Sequence, residues 1–292
     1  QQASRYVLVL QLILNITNII LDLVFVVLLD WSVEGVAAAT LIAETVTLIA
    51  GFWILSRHFK FFSGAFNPTQ IFALKAGKAL FRVNRDIMIR TLCLIFAFAW
   101  FTDQGARLGD LSLAANLILM QFVTFSAFFI DGFAIASESI MGEAHGKRDR
   151  QATDDIIRAA FSSGGLLALL LSFGFFFLSP YMMWLLTSSP EVIKEARQFS
   201  LWMVATPLVS FAAYIYDGLF IGATKTAEMR TAMILSLFVY LTAWWLTQSL
   251  ENHGLWLALM IYYVARAASL GVYHHRLFDF SDHDAKTTEQ TL

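Results

Sequence analysis

The sequence predicts an all-α integral membrane protein of about eight transmembrane helices. Three observations carry that reading. Hydrophobic residues make up 58% of the chain and charged residues only 14%, with a mean hydropathy of +0.64; soluble domains carry about 25% charged residues. The charges gather in short patches between apolar runs, and those runs are long enough to cross a bilayer, which takes roughly 20 residues. The runs are also too long and too uniformly apolar for barrel strands, which span ~10 residues with strict alternation.

The expected spans are Tyr6–Leu29, Val36–Leu55, Ile87–Phe101, Leu111–Ala136, Ala159–Ser179, Phe199–Gly222, Thr231–Gln248 and Gly254–Tyr273. The third is short and contains Arg90. It is expected to start earlier, near Phe81, with Arg82, Arg85 and Arg90 snorkelling to one interface. Orientation follows from the loop cations. With the N-terminus cytoplasmic, sixteen Lys and Arg residues fall on the cytoplasmic side. Only Arg107, Lys194 and Arg197 fall opposite, and Arg266 lies within a helix. Both ends of the chain are therefore expected in the cytoplasm. The longest connection, residues 57–80, holds Asn67-Pro68 and reads as a linker between two helical bundles. Within it, Ile71–Leu80 is amphipathic and is expected to lie along the membrane surface. The polar tail from Ser281 is expected to be frayed.

Other classes find little support. A net charge of −2 gives no reason to expect nucleic acid as a partner. The single cysteine, Cys93, stands in an apolar run, where it reads as a packing residue. The six histidines lie in loops or at helix ends, not at metal-ligand spacing. No nucleophile–base set or phosphate-binding Gly-rich loop is visible, so an intramembrane enzyme is not expected, nor is any cofactor. The chain opens Gln1-Gln2 with no basic n-region, so it reads as truncated or internally started. Arg5 with the first two runs and Gly35 is echoed by Arg230 with the last two runs and Gly254, a hint of an internal repeat.

Function is expected where polar groups enter the hydrocarbon, because a charge there costs at least ~2.5–3.5 kcal/mol. Asn15, Asn18 and Asp22 are spaced three and four apart on the first helix and so share a face. Thr40 begins the next helix at similar depth. A carboxylate, an amide oxygen and a hydroxyl are hard ligands able to hold H⁺ or Na⁺. The alternative is helix–helix hydrogen bonding, with Asp22 paired to Asn18. In the sixth run Asp217 follows Tyr214 and Tyr216, and ring faces beside a carboxylate suit a cationic organic molecule. Pro207 is expected to kink that helix. Asp131 and Glu138 share a face of the fourth run; Asp131 either lines a cavity or pairs with a helix end, and Glu138 is solvated or paired with the Lys147–Arg150 patch. Glu44 and Arg266 read as structural, with mutual pairing conceivable. Gly164-Gly165 reads as a close-packing pair.

Several stretches resemble one transporter family. They are Asn84-Arg85-Asp86-Ile87-Met88-Ile89-Arg90-Thr91, Gly105-Ala106-Arg107-Leu108-Gly109, Asp131-Gly132-Phe133-Ala134 with Glu138, Gly142 and Gly146-Lys147-Arg148-Asp149, and Asp217-Gly218-Leu219-Phe220-Ile221-Gly222-Ala223-Thr224 with Glu228-Met229-Arg230. Asn18-Ile19-Ile20-Leu21-Asp22 and Ile42-Ala43-Glu44 fit as well. In order and spacing the chain resembles the multidrug and toxic compound extrusion (MATE) family, in its DinF-like branch. The resemblance implies helices 5–12 of a two-lobe, twelve-helix transporter. Residues 1–56 would be the last two N-lobe helices, 57–80 the inter-lobe linker, 81–276 the six-helix C-lobe and 277–292 a cytoplasmic tail. It implies an antiporter of the bacterial inner membrane, functioning as a monomer. H⁺ or Na⁺ would enter as a small organic, often cationic, compound leaves. Asn18, Asp22 and Thr40 match the family's N-lobe ion site, whose further Asp would lie on an earlier helix that this chain lacks. A lipid-linked sugar flippase of the same superfamily and a non-transporting remnant or scaffold are the competing readings.

Overall fold

The computed structural model describes residues 4–59 and 74–280. The Asn67-Pro68 linker, the first part of the expected surface helix and the tail from Ser281 lie outside the described residues. The described residues are almost entirely helical, and the chain divides into two units, Gln1–Ala73 and Leu74–Leu292.

The first unit is a helical hairpin. Helix α1 (Ser4–Asp22) runs into a π-helical turn, Leu23–Leu28, then reverses at Asp30, whose φ is 60°, into α2 (Val33–Phe59). Both helices expose Leu, Ile and Val around most of their circumference, as expected where lipid rather than water is the solvent. The reversal is tight. A Cβ on Gly35 would stand 2.8 Å from the Trp31 Cβ and 3.2 Å from that of Phe25, and the two aromatic rings stack at 5.2 Å.

The second unit holds α3 (Leu74–Arg107), α4 (Asp110–Lys147), α5 (Arg150–Leu186), α6 (Pro190–Gly222), α7 (Thr226–Thr247) and α8 (Glu251–Val272). The turns follow local chemistry. Gly109 takes φ 117° between α3 and α4, and Arg148 adopts the left-handed conformation after α4. Asp149 caps α5 by accepting the Ala152 N–H at 3.0 Å. Ser189 with Pro190 opens α6. Helix α6 packs on α4, α5 and α8, while α7 packs on α3 and α8. The α7–α8 hairpin repeats a device of the first unit, since a Cβ on Gly254 would fall 2.1 Å from the Thr247 carbonyl oxygen. Gly164 likewise seats the Ile215 side chain of α6, at 2.9 Å from a Cβ built on it. Cys93 packs against the main core.

By length and apolarity the helices form six candidate membrane-spanning stretches, the last of which, Thr226–Val272, contains both α7 and α8. Helix α3 is the eighth long helix among the described residues. It is long enough to cross, but Arg82, Arg85, Asp86 and Arg90 dilute its apolar character. Two expectations for this region are corrected. Leu74–Leu80 is no separate surface helix; it forms the first two turns of α3, which continues unbroken to Arg107. Arg90 does not snorkel with its neighbours but turns into the helix bundle. Every helix also begins before its expected apolar run, because polar residues such as Asp110, Arg150 and Glu251 start the hydrogen-bond ladder ahead of the apolar stretch. Helices α5 and α6 carry Pro180 and Pro207 internally without ending there.

At the end of the bundle nearest Gly109, two buried amides interlock. Asn116 donates to the Asn252 carbonyl oxygen at 2.7 Å and Asn252 returns the bond at 3.0 Å, while the Trp256 indole donates to Asn116 at 2.9 Å. Gly105 of α3 faces the Asn116 amide, with 3.1 Å between it and a Cβ built there. Replacing Asn116 by Leu strands the Asn252 amide and the indole N–H together. The expected cost is about 2 kcal/mol, read as thermal unfolding in detergent.

Candidate functional site

In the first unit, Asn18 and Thr40 come together across the hairpin. The Asn18 amide donates to the Thr40 hydroxyl at 3.4 Å, and that hydroxyl donates to the Val36 carbonyl oxygen at 2.9 Å. Asp22 lies one turn beyond Asn18 on the same face of α1. Its Oδ1 is buried and has no hydrogen-bond partner among the described residues. The hydrogen bond of Asn18 therefore goes to Thr40, not to Asp22. The π turn begins at the residue after Asp22. Such turns concentrate at functional sites because the extra residue re-aims side chains, and no sequence pattern announced this one. The three expected side chains thus supply an amide and a hydroxyl that touch, and a carboxylate oxygen that nothing within the hairpin satisfies.

In the second unit, the Asp217 carboxylate of α6 draws in cations from two other helices. Arg266 of α8 donates to its Oδ2 at 2.6 Å, and Arg90 of α3 donates to the same oxygen. Arg266 is 1% exposed, and its guanidinium lies 5.4–5.8 Å from the ring centres of Tyr214, Tyr262 and Tyr263. Tyr214 and Tyr263 approach through their hydroxyls at 3.4 Å. Asp217 and Tyr214 are therefore brought together, around Arg266. Asp131 of α4 feels the charges of Asp217, Arg266 and Arg90, yet makes no ion pair among the described residues. The Lys147 ammonium pairs with Glu143 at 2.5 Å.

A second buried carboxylate repeats the theme. Asp86 of α3 is 1% exposed and accepts from Arg230 of α7 at 2.6 Å and from its neighbour Arg85 at 2.9 Å. Sequence reasoning missed Asp86, Asn116 and the inward turn of Arg90. For Arg90 a signal existed: it stands five residues from Arg85, so at 100° per residue the two point well apart.

These polar clusters sit on a helical scaffold that other proteins share. The family profile described as MatE matches residues 87–247. The chain belongs to the MatE family. DNA damage-inducible protein F of Escherichia coli (strain K12) is 37% identical over 278 residues, covering 94% of this chain and 60% of that protein. Protein DETOXIFICATION 44, chloroplastic, of Arabidopsis thaliana is 24% identical over 263 residues, covering 86% of this chain and 47% of that protein. The chain spans about 60% of the length of the first of these relatives and about half of the second. Among solved structures, MATE in the bent conformation superposes with a TM-score of 0.81 at 17% identity, covering 97% of this chain and 64% of that one. The Vibrio cholerae MATE transporter VcmN in its bent form gives 0.77 at 20% identity, covering 94% and 62%. At those identities the match shows the fold. The expected MATE fold and DinF-like resemblance are thus found, and the family is one of membrane transporters, not enzymes.

Proposed function

We propose that the chain is the larger part of a cation-coupled antiporter that exports small organic compounds across the bacterial inner membrane. The observation that carries this reading is the Asp22 oxygen without a partner, beside the Asn18–Thr40 contact, at membrane depth in an otherwise apolar hairpin. An intramembrane carboxylate costs too much to keep without a use. Binding H⁺ or Na⁺ satisfies the carboxylate, and its occupancy then favours one conformation over another. In this reading the remaining ligands come from helices of the complete protein outside this chain, both ends of the chain face the cytoplasm, and the transporter works as a monomer in its lipid. Asp217 and Tyr214 serve as a clasp with Arg266, and Asp131 is an acidic group of the second unit left to meet a cationic substrate.

A lipid-linked sugar flippase would call for basic side chains inside the bundle that are not committed to carboxylates. The buried arginines Arg90 and Arg266 share Asp217, and Arg230 is held by Asp86, which supports the antiporter over the flippase. The test is Asp22→Asn in the complete protein, reconstituted into vesicles with an imposed proton or sodium gradient. An asparagine cannot take up a proton, so proton-driven efflux is expected to be lost, whereas losing one charge-assisted ligand contact of ~2 kcal/mol weakens Na⁺ binding about 30-fold and sodium-driven efflux is expected to fall to a similar degree. Unchanged gradient-driven efflux overturns the assignment. Absence of efflux from the unaltered protein under both gradients would favour the scaffold reading.

A further inference from the structure

The two buried carboxylates sort the cations of α3 into two sets. Asp86 and Arg90 point into the bundle, toward Arg230 and Asp217. Lys78, Arg82 and Arg85 are spaced four and three apart, which is one continuous stripe centred about 90° around the helix from that inward pair. Lys78 and Arg82 are exposed and make no hydrogen bond or ion pair among the described residues. Arg85 is 44% exposed and donates to Asp86, whose single charge is already shared with Arg230. No other acidic residue occurs between Leu74 and Thr102. The stripe is therefore a net positive surface.

Directly along the same face the character changes. Leu92 is seven residues beyond Arg85, and Met88 is seven beyond Phe81, so the two rows run side by side down the helix. Phe81 is 72% exposed, and Met88 and Leu92 are exposed by more than half. The basic end and the apolar track thus form one ribbon. From Arg85 to Leu92 the helix rises ~10 Å, and from Lys78 to Leu92 ~21 Å. One leaflet, from headgroup to midplane, measures ~20–22 Å.

We infer that this face of α3 is a binding site for an anionic phospholipid, with the phosphate held by Lys78, Arg82 and Arg85 and an acyl chain lying along Phe81, Met88 and Leu92. Charge complementarity selects the anionic headgroup, because each Lys or Arg near such a surface contributes about 1 kcal/mol. The apolar row beneath it selects a lipid over a free anion. The inference does not depend on the proposed transport reaction.

The experiment uses the complete protein, purified in a neutral detergent and supplemented in turn with dioleoylphosphatidylglycerol, dioleoylphosphatidylcholine or inorganic phosphate. Phosphatidylglycerol is expected to raise the melting midpoint by about 3 °C over phosphatidylcholine. The double variant K78Q/R82Q is expected to lose that difference while melting as the parent does in phosphatidylcholine, since both side chains are exposed and make no hydrogen bond or ion pair among the described residues. Native mass spectrometry supplies a readout independent of stability: the parent should retain phosphatidylglycerol through delipidation and K78Q/R82Q should not. Equal effects of the two lipids, an equal shift from phosphate alone, or retention of the anionic lipid by K78Q/R82Q would each overturn the inference.

Discussion

Replacing Asp217 by alanine is expected to destabilise the second unit by about 4 kcal/mol, because it strands two guanidinium charges in the bundle interior. Arg266 is 1% exposed and Arg90 is largely buried, and both donate to one carboxylate oxygen. Taking a charge out of water costs several kcal/mol, recovered only while the partner is present. The three tyrosine rings around Arg266 offset part of that cost through their faces, at up to ~2 kcal/mol where desolvated, but they cannot replace a full negative charge. The measurement is thermal unfolding of the complete protein in detergent, with a fall in midpoint of roughly 10 °C expected. The double variant D217L/R266M should recover part of that loss, since a buried pair replaced by apolar groups of similar volume is often neutral. A loss below about 1 kcal/mol for Asp217→Ala would place the pair in solvent-like surroundings and refute its role as a clasp.

That clasp explains why the family motifs were recognisable before their geometry was known. The stretch around Asn84-Arg85-Asp86 and the stretch Glu228-Met229-Arg230 are distant in sequence, yet Asp86 and Arg230 meet at 2.6 Å. The Gly105 motif faces the Asn116 amide. The Asp217 motif answers Arg90 of the first stretch. Each motif is one half of a contact between helices, so their order and spacing carry the topology. The spans themselves were legible because a lipid solvent forces whole-circumference apolarity, which a reading of length and composition detects. Helix ends were less legible, since polar residues can either leave the helix or extend it into the interface. Whether an arginine near an interface snorkels or turns inward depends on the position of a carboxylate more than a hundred residues away, as with Arg90 and Asp217. The first-unit cluster was legible as a set of ligand types, whereas the π turn beside it is a backbone adjustment with no side-chain signature.

Gly218→Leu is expected to separate α6 from α4 and cost about 3 kcal/mol or more. A Cβ on Gly218 would stand 2.2 Å from the Ala134 carbonyl oxygen and 2.7 Å from its carbonyl carbon. Both atoms are backbone, so no rotamer change can relieve the clash; a whole helix must move. One turn further along, a Cβ on Gly222 would meet the Glu138 carbonyl oxygen at 2.4 Å. The two glycines, four residues apart, therefore form a small-residue face of the kind that lets membrane helices approach through their backbones. The displacement would not stay local, because Asp217 precedes Gly218 and its grip on Arg90 and Arg266 depends on where α6 sits. Gly132 of α4 provides the control. A Cβ there meets nothing within 4 Å, so Gly132→Ala should be neutral or stabilising by up to ~1 kcal/mol through helix propensity alone. If Gly218→Leu and Gly132→Ala melt alike in detergent, the close approach of α4 and α6 is not what holds the second unit together, and the clasp at Asp217 must be positioned by α3 and α8 instead.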